Sequence, residues 1–569
     1  MMIKAGLGQA EHTDTTTAVD EVIQQCQNQL EGTVPQAGIV LTSGNFDFHL
    51  MLSEINSRFP GIDVIGCTTA GDFSSRYGFS DDSISLLTFY SDTIQMGIGV
   101  ARDLKKAPDL SVTEAVKQAA GRMTHPTSLC LALPDGHGIP FEPIMKTFNR
   151  ELGRRCPVFG GAAGMQWLDD TRPFQFYRDE VLTGAMPLML FGGPLDYSFS
   201  IANSWRPVGK KNLITASTGQ QIFRIGDFTA IDFYRYYLGD HSEPAREFLL
   251  AVYENDDEHF YLRAPIEYHP DGSITFSDVV PEGAKIQLTE AIRDVMIADT
   301  ETTTRRLVTQ SPELDPSFAM AFSCAFRKDM LGTQVDQELQ TLKRTLPPHL
   351  PILGFYSFGE IAPLVKDQES FSHGATLVTV LVGQRGSKKD AKNLVGATDQ
   401  PRTDELQQPQ EPPSEPAIEV LRQENELLSR KLNRSEKYRE RTEQIKDLNS
   451  RMHHKIIQEV EEGRLEIQRK ETELRKSEEK YRRIVTTAAE GFILMDGQMR
   501  ITDANEAYCR MTGYQLDELL GRNPFHLMAE EVGPSLTSFR DKIQSEAYSR
   551  FEDVHVAKDG RRIPLLIHG

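Results

Sequence analysis

The chain has 569 residues, too many for one hydrophobic core, so three or four folded units are expected. Charged residues make up 25% and hydrophobic ones 39%, the balance of a soluble globular protein, and the net charge of −20 argues against nucleic acid or an anionic membrane as a general partner, because the summed field repels phosphate. No run approaches the roughly 20 apolar residues that span a bilayer, the N-terminus lacks the apolar core of a signal peptide, and the six cysteines form no CxxC pair, so a cytoplasmic protein is expected.

Beyond a lead-in over residues 1–35, a strand at 37–43 and a helix near 46–58 run into "FPGIDVIGCTTAGDF" (59–73), and a further strand follows at 83–89. The same order returns with a strand at 128–136, a helix at 141–154, "CPVFGGAAGMQW" (156–167) and a strand at 185–193. It returns again with a strand at 318–326, a helix at 336–346, "ILGFYSFGEIAPL" (352–364) and a strand at 375–383. Agreement in element order and motif at three places predicts an α/β module built from repeated β-α-β-Gly-loop-β units.

Glycine at a strand end permits positive φ or a close backbone approach, and such corners line the crevices where open α/β sheets hold ligands. Gly66, Cys67, Gly71, Asp72, Gly160, Gly161, Gly354, Tyr356, Gly359 and Glu360 are therefore candidate ligand-binding residues, with Asp72 following Gly71 as Glu360 follows Gly359. The alternative is that these glycines serve only close packing between layers, with Glu360 a buried cap. A nucleophilic enzyme built on Cys67, or on Asp135 and His137 in "DGHG", is a weaker reading, because no G-x-S-x-G or comparable motif is present.

Residues 385–416 lose the apolar runs and gain Pro, Gln and charge, which predicts a flexible linker. From 417 to 484 there is no proline and one glycine, Gly463. Ile418, Leu421, Leu428 and Leu432 follow a/d spacing with Asn425 at an a position, as in a parallel coiled-coil dimer. Val460, Ile467, Leu474 and Tyr481 recur every seven residues and, taken as a second block out of phase with the first, predict a stutter. His453 and His454 lack the flanking residues of a phospho-accepting histidine and are expected to be exposed on the helix.

At "VIGCTTAGDF", "PVFGGAAG", "WRPVGKKNLITASTGQQIFRIGDFTAIDFYRYYLG" (205–239) and "GFYSFGEIAPL" the sequence resembles the FIST sensory domain, FIST N (36–240) followed by FIST C (241–384). The family's Asn-rich segment before the last strand is replaced by "FSHGATLVTV", with His373 and Gly374 in its place. "SEEKYRRIVTTAAEGFILMDGQMRITDANEAYCRMTGYQLDELLGRNPFHLM" (477–528) and "FEDVHVAKDGRRIPLLIHG" (551–569) resemble a PAS domain, α+β in fold, over 485–569 and without its last strands. The PAS unit is expected to be a relay or dimerisation module.

The resemblance implies a cytoplasmic signal-transduction sensor. A FIST module would bind a small intracellular ligand and signal as a homodimer, through coiled coil and PAS domain, to a histidine kinase or diguanylate cyclase beyond residue 569. It also implies an amino-acid-like ligand, whose ammonium would pair with Glu360 or Asp72 and whose carboxylate would meet loop N–H groups or Arg206. Haem-based nitric-oxide sensing is the other implied reading. It needs an axial histidine, for which His137 is preferred over His241, His259, His269 and His373 because glycines flank it at a strand end. The cofactor stays open between haem and none, and a non-binding scaffold is a third reading.

Overall fold

The computed structural model describes residues 3–139, 141–165, 172–240, 245–253, 260–385, 415–528 and 550–568. Most of the expected linker, together with His241 and His259, lies outside them. The chain divides into two compact units, Met1–Ile456 and Ile457–Gly569.

In the first unit the expected repeat occurs three times, and each copy is longer than its motif. The first comprises β1 (Lys4–Glu11), α1 (Thr15–Leu30), β2 (Ala37–Thr42), α2 (Phe48–Arg58), β3 (Asp63–Thr68), a hairpin β4 (Asp72–Ser74) and β5 (Gly78–Ser80), and a return strand β6 (Ser83–Tyr90). The second comprises β7 (Gln95–Ala101), α3 (Pro108–Ala120), β8 (Thr127–Ala132), α4 (Phe141–Leu152), β9 (Val158–Gly161), β10 (Gln175–Tyr177), β11 (Glu180–Leu182) and β12 (Met186–Gly192). The third opens with β13 (Asp196–Asn203) and is at once interrupted. The insertion comprises β14 (Trp205–Thr218), β15 (Gln221–Ile225), β16 (Phe228–Thr229), α5 (Ala230–Leu238), β17 (Leu250–Tyr253), β18 (Tyr261–Arg263), β19 (Pro265–Tyr268), β20 (Ile274–Phe276) and β21 (Lys285–Ala291). The copy then resumes with α6 (Arg293–Gln310), β22 (Leu314–Cys324), α7 (Ala325–Leu331), α8 (Asp336–Thr345), β23 (Ile352–Ser357), β24 (Glu360–Pro363), β25 (Ser370–His373) and β26 (Thr376–Arg385).

The three copies are locked together by exchange of hairpins. Their sheets run β1-β6-β2-β3-β10-β11, β7-β12-β8-β9-β24-β25 and β13-β26-β22-β23-β4-β5, so each sheet ends in the hairpin of another copy. The inner faces of all three meet in one apolar core, with Ile39, Leu131, Phe159, Phe318, Phe322 and Phe355 among its members. In each copy the last inner strand runs parallel to the one before it, and a glycine sits at the same register: Gly66 beside Val40, Gly160 beside Ala132 and Gly354 beside Ala321. A methyl group at Gly66 or Gly160 would run into the neighbouring carbonyl, and at Gly354 into the Phe73 ring. Close packing thus accounts for these three glycines.

One helix, α9 (Glu415–Thr487), follows. Its portion up to Ile456 packs on the first unit with residues spaced alternately three and four apart. Lys431 Nζ meets Glu11 Oε2 at 2.6 Å, and Arg434 forks onto Asp82. Arg441 Nε donates to Glu247 Oε1 at 2.5 Å, and Ile445, Leu448 and Met452 are buried. Leu428 and Leu432 lie roughly 100° round the helix from this face and are 61% exposed. The expected stutter is not present: Val460 stands a whole number of heptads after Ile418, so both blocks share one phase, and the helix is unbroken.

In the second unit α9 ends against a PAS-like region with β27 (Ile493–Met495) antiparallel to β28 (Ile501–Ala504), α10 (Glu506–Thr512), α11 (Leu516–Leu519), and β29 (Arg550–Val556) antiparallel to β30 (Arg562–His568). Asn505 holds this region together. Its Oδ1 accepts from the N–H groups of Phe492 and Tyr508, and its Nδ2 donates to the carbonyls of Val485 and Glu490. The side chain therefore caps α10 and ties it to the end of α9.

Candidate functional site

The glycine corners converge by direct bonding. Tyr356 N–H donates to the Gly71 carbonyl, Ala162 N–H to that of Gly359 and Gly164 N–H to that of Thr68. Gly71 and Gly359 have φ of 126° and 148°, which favours glycine where the chain turns into the donated hairpin. The residue that opens each hairpin faces the position after the packing glycine: Asp72 opposite Phe355, Gln175 opposite Cys67 and Glu360 opposite Gly161. These three polar residues are equivalent, and each is 0% exposed.

Each is also bonded to the residue at the start of its own copy's return strand. Asp72 accepts from Ser83 Oγ at 2.7 Å and from Ser85, Gln175 Oε1 from Ala185 N–H at 3.1 Å, and Glu360 Oε2 from Thr376 N–H at 3.1 Å and Oγ1 at 2.9 Å. Ser357 Oγ also donates to Glu360 Oε1, at 2.8 Å. Burial pushes the carboxyls of Asp72 and Glu360 up to about 7, against the hydrogen bonds that favour their charged forms. Gln175 places an uncharged group in the same setting. The sequence reading missed it because its copy has no glycine before the hairpin.

The other expected residues are placed as follows. Cys67 is buried in the central core, where burial pushes its thiol up and out of reach of ionisation. Tyr356 donates to Glu338 Oε2, which together with Oε1 holds the fully buried Arg327 and Ser323. Arg206 is exposed on β14, opposite Glu290. His137 is exposed on the loop after β8, its N–H donated to Asp135. His269 bonds Thr275 within the insertion. Haem needs an apolar pocket with a ring nitrogen free to ligate. His137, exposed on its loop, has no such enclosure and does not fit that group.

A cleft of about 900 Å³ lies where α4, the β24–β25 hairpin and the insertion meet. Met145 and Asn149 of α4, Phe260, Tyr261 and Leu262 at the β17–β18 corner, and Phe371 to Gly374 of the hairpin line it. His373 donates from Nε2 to the Ala362 carbonyl at 3.0 Å, leaving Nδ1 as an acceptor, and burial holds its imidazole below the usual value and so neutral at pH 7. Of the candidate ligand-binding residues none lines this cleft. Glu360 stands one hydrogen bond behind its wall, through Thr376. Val252 of β17 lines the cleft and also belongs to the core cluster that takes in Leu448 and Met452 of α9.

Family models match residues 36–227 as FIST N domain, 230–363 as FIST C domain and 479–569 as PAS fold. The chain belongs to the FIST family. Its FIST module is followed by the long helix and the PAS region, and no helix among the described residues is long and apolar enough to cross a membrane. A search of curated proteins gives no match. Solved structures include the PAS domain of an HTR-like protein from Haloarcula marismortui, 17% identical over 18% of this chain and 84% of that one, with a TM-score of 0.16. A domain of a sensory box sensor histidine kinase/response regulator from Geobacter sulfurreducens is 24% identical over 17% and 83%, also at 0.16. Cyanuric acid hydrolase from A. caulinodans is 10% identical over 67% of this chain and 99% of that one, at 0.24.

Proposed function

We propose that this FIST–PAS protein is a cytoplasmic sensor whose FIST module takes a small intracellular ligand in the cleft between α4, the β24–β25 hairpin and the insertion. The observation that carries this reading is Val252: one strand of the insertion faces the ligand space and packs in the same cluster as the docked segment of α9. A ligand that draws β17 and β18 toward the hairpin would repack Leu448 and Met452. It shifts the helix only as far as it binds one arrangement more tightly than the other. The exposed a-position residues of α9 then pair with a second copy, and the PAS region passes the change to a kinase or cyclase domain. Asp72 and Glu360 act in this scheme as staples that hold the donated hairpins, with Glu360 backing the cleft wall at Thr376.

The test is hydrogen exchange on the full chain, with and without the low-molecular-weight fraction of a cell extract. Protection at 260–263 and 370–376 accompanied by altered exchange at 438–452 is expected. Protection in the cleft with no change along α9 would remove the signalling half of the proposal.

A further inference from the structure

The cleft wall contains an unfilled place in a β-sheet. β25 is the outer strand of its sheet. At its first residue, Ser370, the outward backbone groups are both taken by one side chain: Ser370 N–H donates to Asn149 Oδ1 at 3.0 Å, and Asn149 Nδ2 donates to the Ser370 carbonyl at 3.1 Å. The Asn149 amide thus does what the next strand's peptide group would do. In an antiparallel ladder the outward groups recur every second residue. The N–H and C=O of Ser372 therefore point into the cleft as those of Ser370 point at Asn149, and they meet no protein partner among the described residues.

The walls say what else the occupant carries. Leu364 and Phe371 on the hairpin side, and Phe260, Tyr261 and Leu262 opposite, are apolar. The charged side chains at the cleft are mostly answered within the protein, Glu142 by Lys146, Glu369 by Arg154 and Arg263 by Asp278. An edge strand with free backbone groups beside apolar walls is the arrangement used for strand addition. We infer that the cleft binds a short, uncharged extended peptide, which adds to β25 through the backbone of Ser372 and sets an apolar side chain against Phe371 and Tyr261. This rests on the reading of the cleft as the sensory site and names the ligand class for it. A four-residue edge matches a bound length of about 14 Å.

The experiment uses the full chain and fluorescein-labelled, C-amidated pentapeptides with Val, Leu or Phe at the centre and threonine elsewhere, read by anisotropy. Saturable binding is expected for at least one. N-methylation of alternate peptide nitrogens in one parity should weaken it about tenfold or more, and the other parity should matter little. Ser372→Pro, which removes the outward N–H, should lose binding likewise, while the methylated peptides make the same test on the unaltered protein. Equal binding of all methylated forms overturns the strand geometry. If no peptide binds but a metabolite library raises the Tm in a way that Phe371→Glu abolishes, the peptide inference falls and the sensory cleft stands. If neither binds, both fall.

Discussion

Glu360 shows how one residue can be visible in a sequence while its role is not. A carboxylate beside two glycines marks a special corner, and Gly71 and Gly359 do take the positive φ that such a corner needs. What the pattern could not reveal is the partner, because Thr376 lies 16 residues along the chain and comes beside Glu360 only in the fold. The folded carboxyl sits at about 7, above its unfolded value near 4.3. The unfolded chain therefore loses this proton first as pH rises, and stability contributed by Glu360 is present below about pH 4 and lost as pH climbs through 7. Glu360→Gln copies the natural solution at Gln175. Its Tm is expected to fall less than that of the parent between pH 5 and pH 8, by an amount corresponding to about 3 kcal/mol at most; parallel pH profiles for the two proteins would refute the assignment. The packing glycines allow a second check. Gly160→Ala puts a methyl group into the Ala132 carbonyl and should cost about 1–3 kcal/mol in urea unfolding, whereas Gly184→Ala, with open space around it and φ of 64°, tests backbone strain alone.

At the scale of elements, the three repeats were legible because a glycine in the last inner strand, Gly66, Gly160 and Gly354, and an apolar strand on either side recur in order. The opening strands β1, β7 and β13 were not, since they pair with the return strands β6, β12 and β26, far along the chain, and carry no glycine motif. The insertion escaped for a related reason: its boundaries fall inside a copy, between β13 and α6. The docked face of α9 was hidden by its polarity. Lys431, Arg434 and Arg441 read as a solvated helix until Glu11, Asp82 and Glu247 are seen opposite them. Arg434→Ala leaves Asp82 nearly buried without its cation, and such a loss is worth about 3–5 kcal/mol. Amide exchange of residues 434–452 should accelerate accordingly, while Asp82→Asn combined with Arg434→Gln should restore much of the protection. Met452→Ala should loosen the same segment by about 2–4 kcal/mol through the cavity it leaves. Unchanged exchange in both variants would mean that α9 does not rest on the module in solution.

At the scale of the whole molecule, α9 carries two faces with different tasks. One is taken up by the FIST module as far as Ile456, and the other presents Leu421, Leu428 and Leu432, then Val460, Ile467, Leu474 and Tyr481, all exposed. Between these groups the a positions fall on Arg439, Lys446 and His453, and His453 Nε2 already meets Glu290 at 2.6 Å. Arg439 and Lys446 at a oppose self-pairing, so two copies in register would close at both ends of the helix and stay apart in the middle, where each helix is held by its own module. Single cysteines report this directly, because the native ones are buried or, for Cys509, half-buried. Leu432→Cys and Leu474→Cys should form intermolecular disulfides readily on mild oxidation, and Lys446→Cys should form few. Addition of a cleft ligand should raise crosslinking at 446 if release of α9 is the signal, since a helix freed from the module can approach its partner along its whole length. Equal crosslinking at all three positions without ligand would refute the divided seam, and none at any of them would refute the dimer.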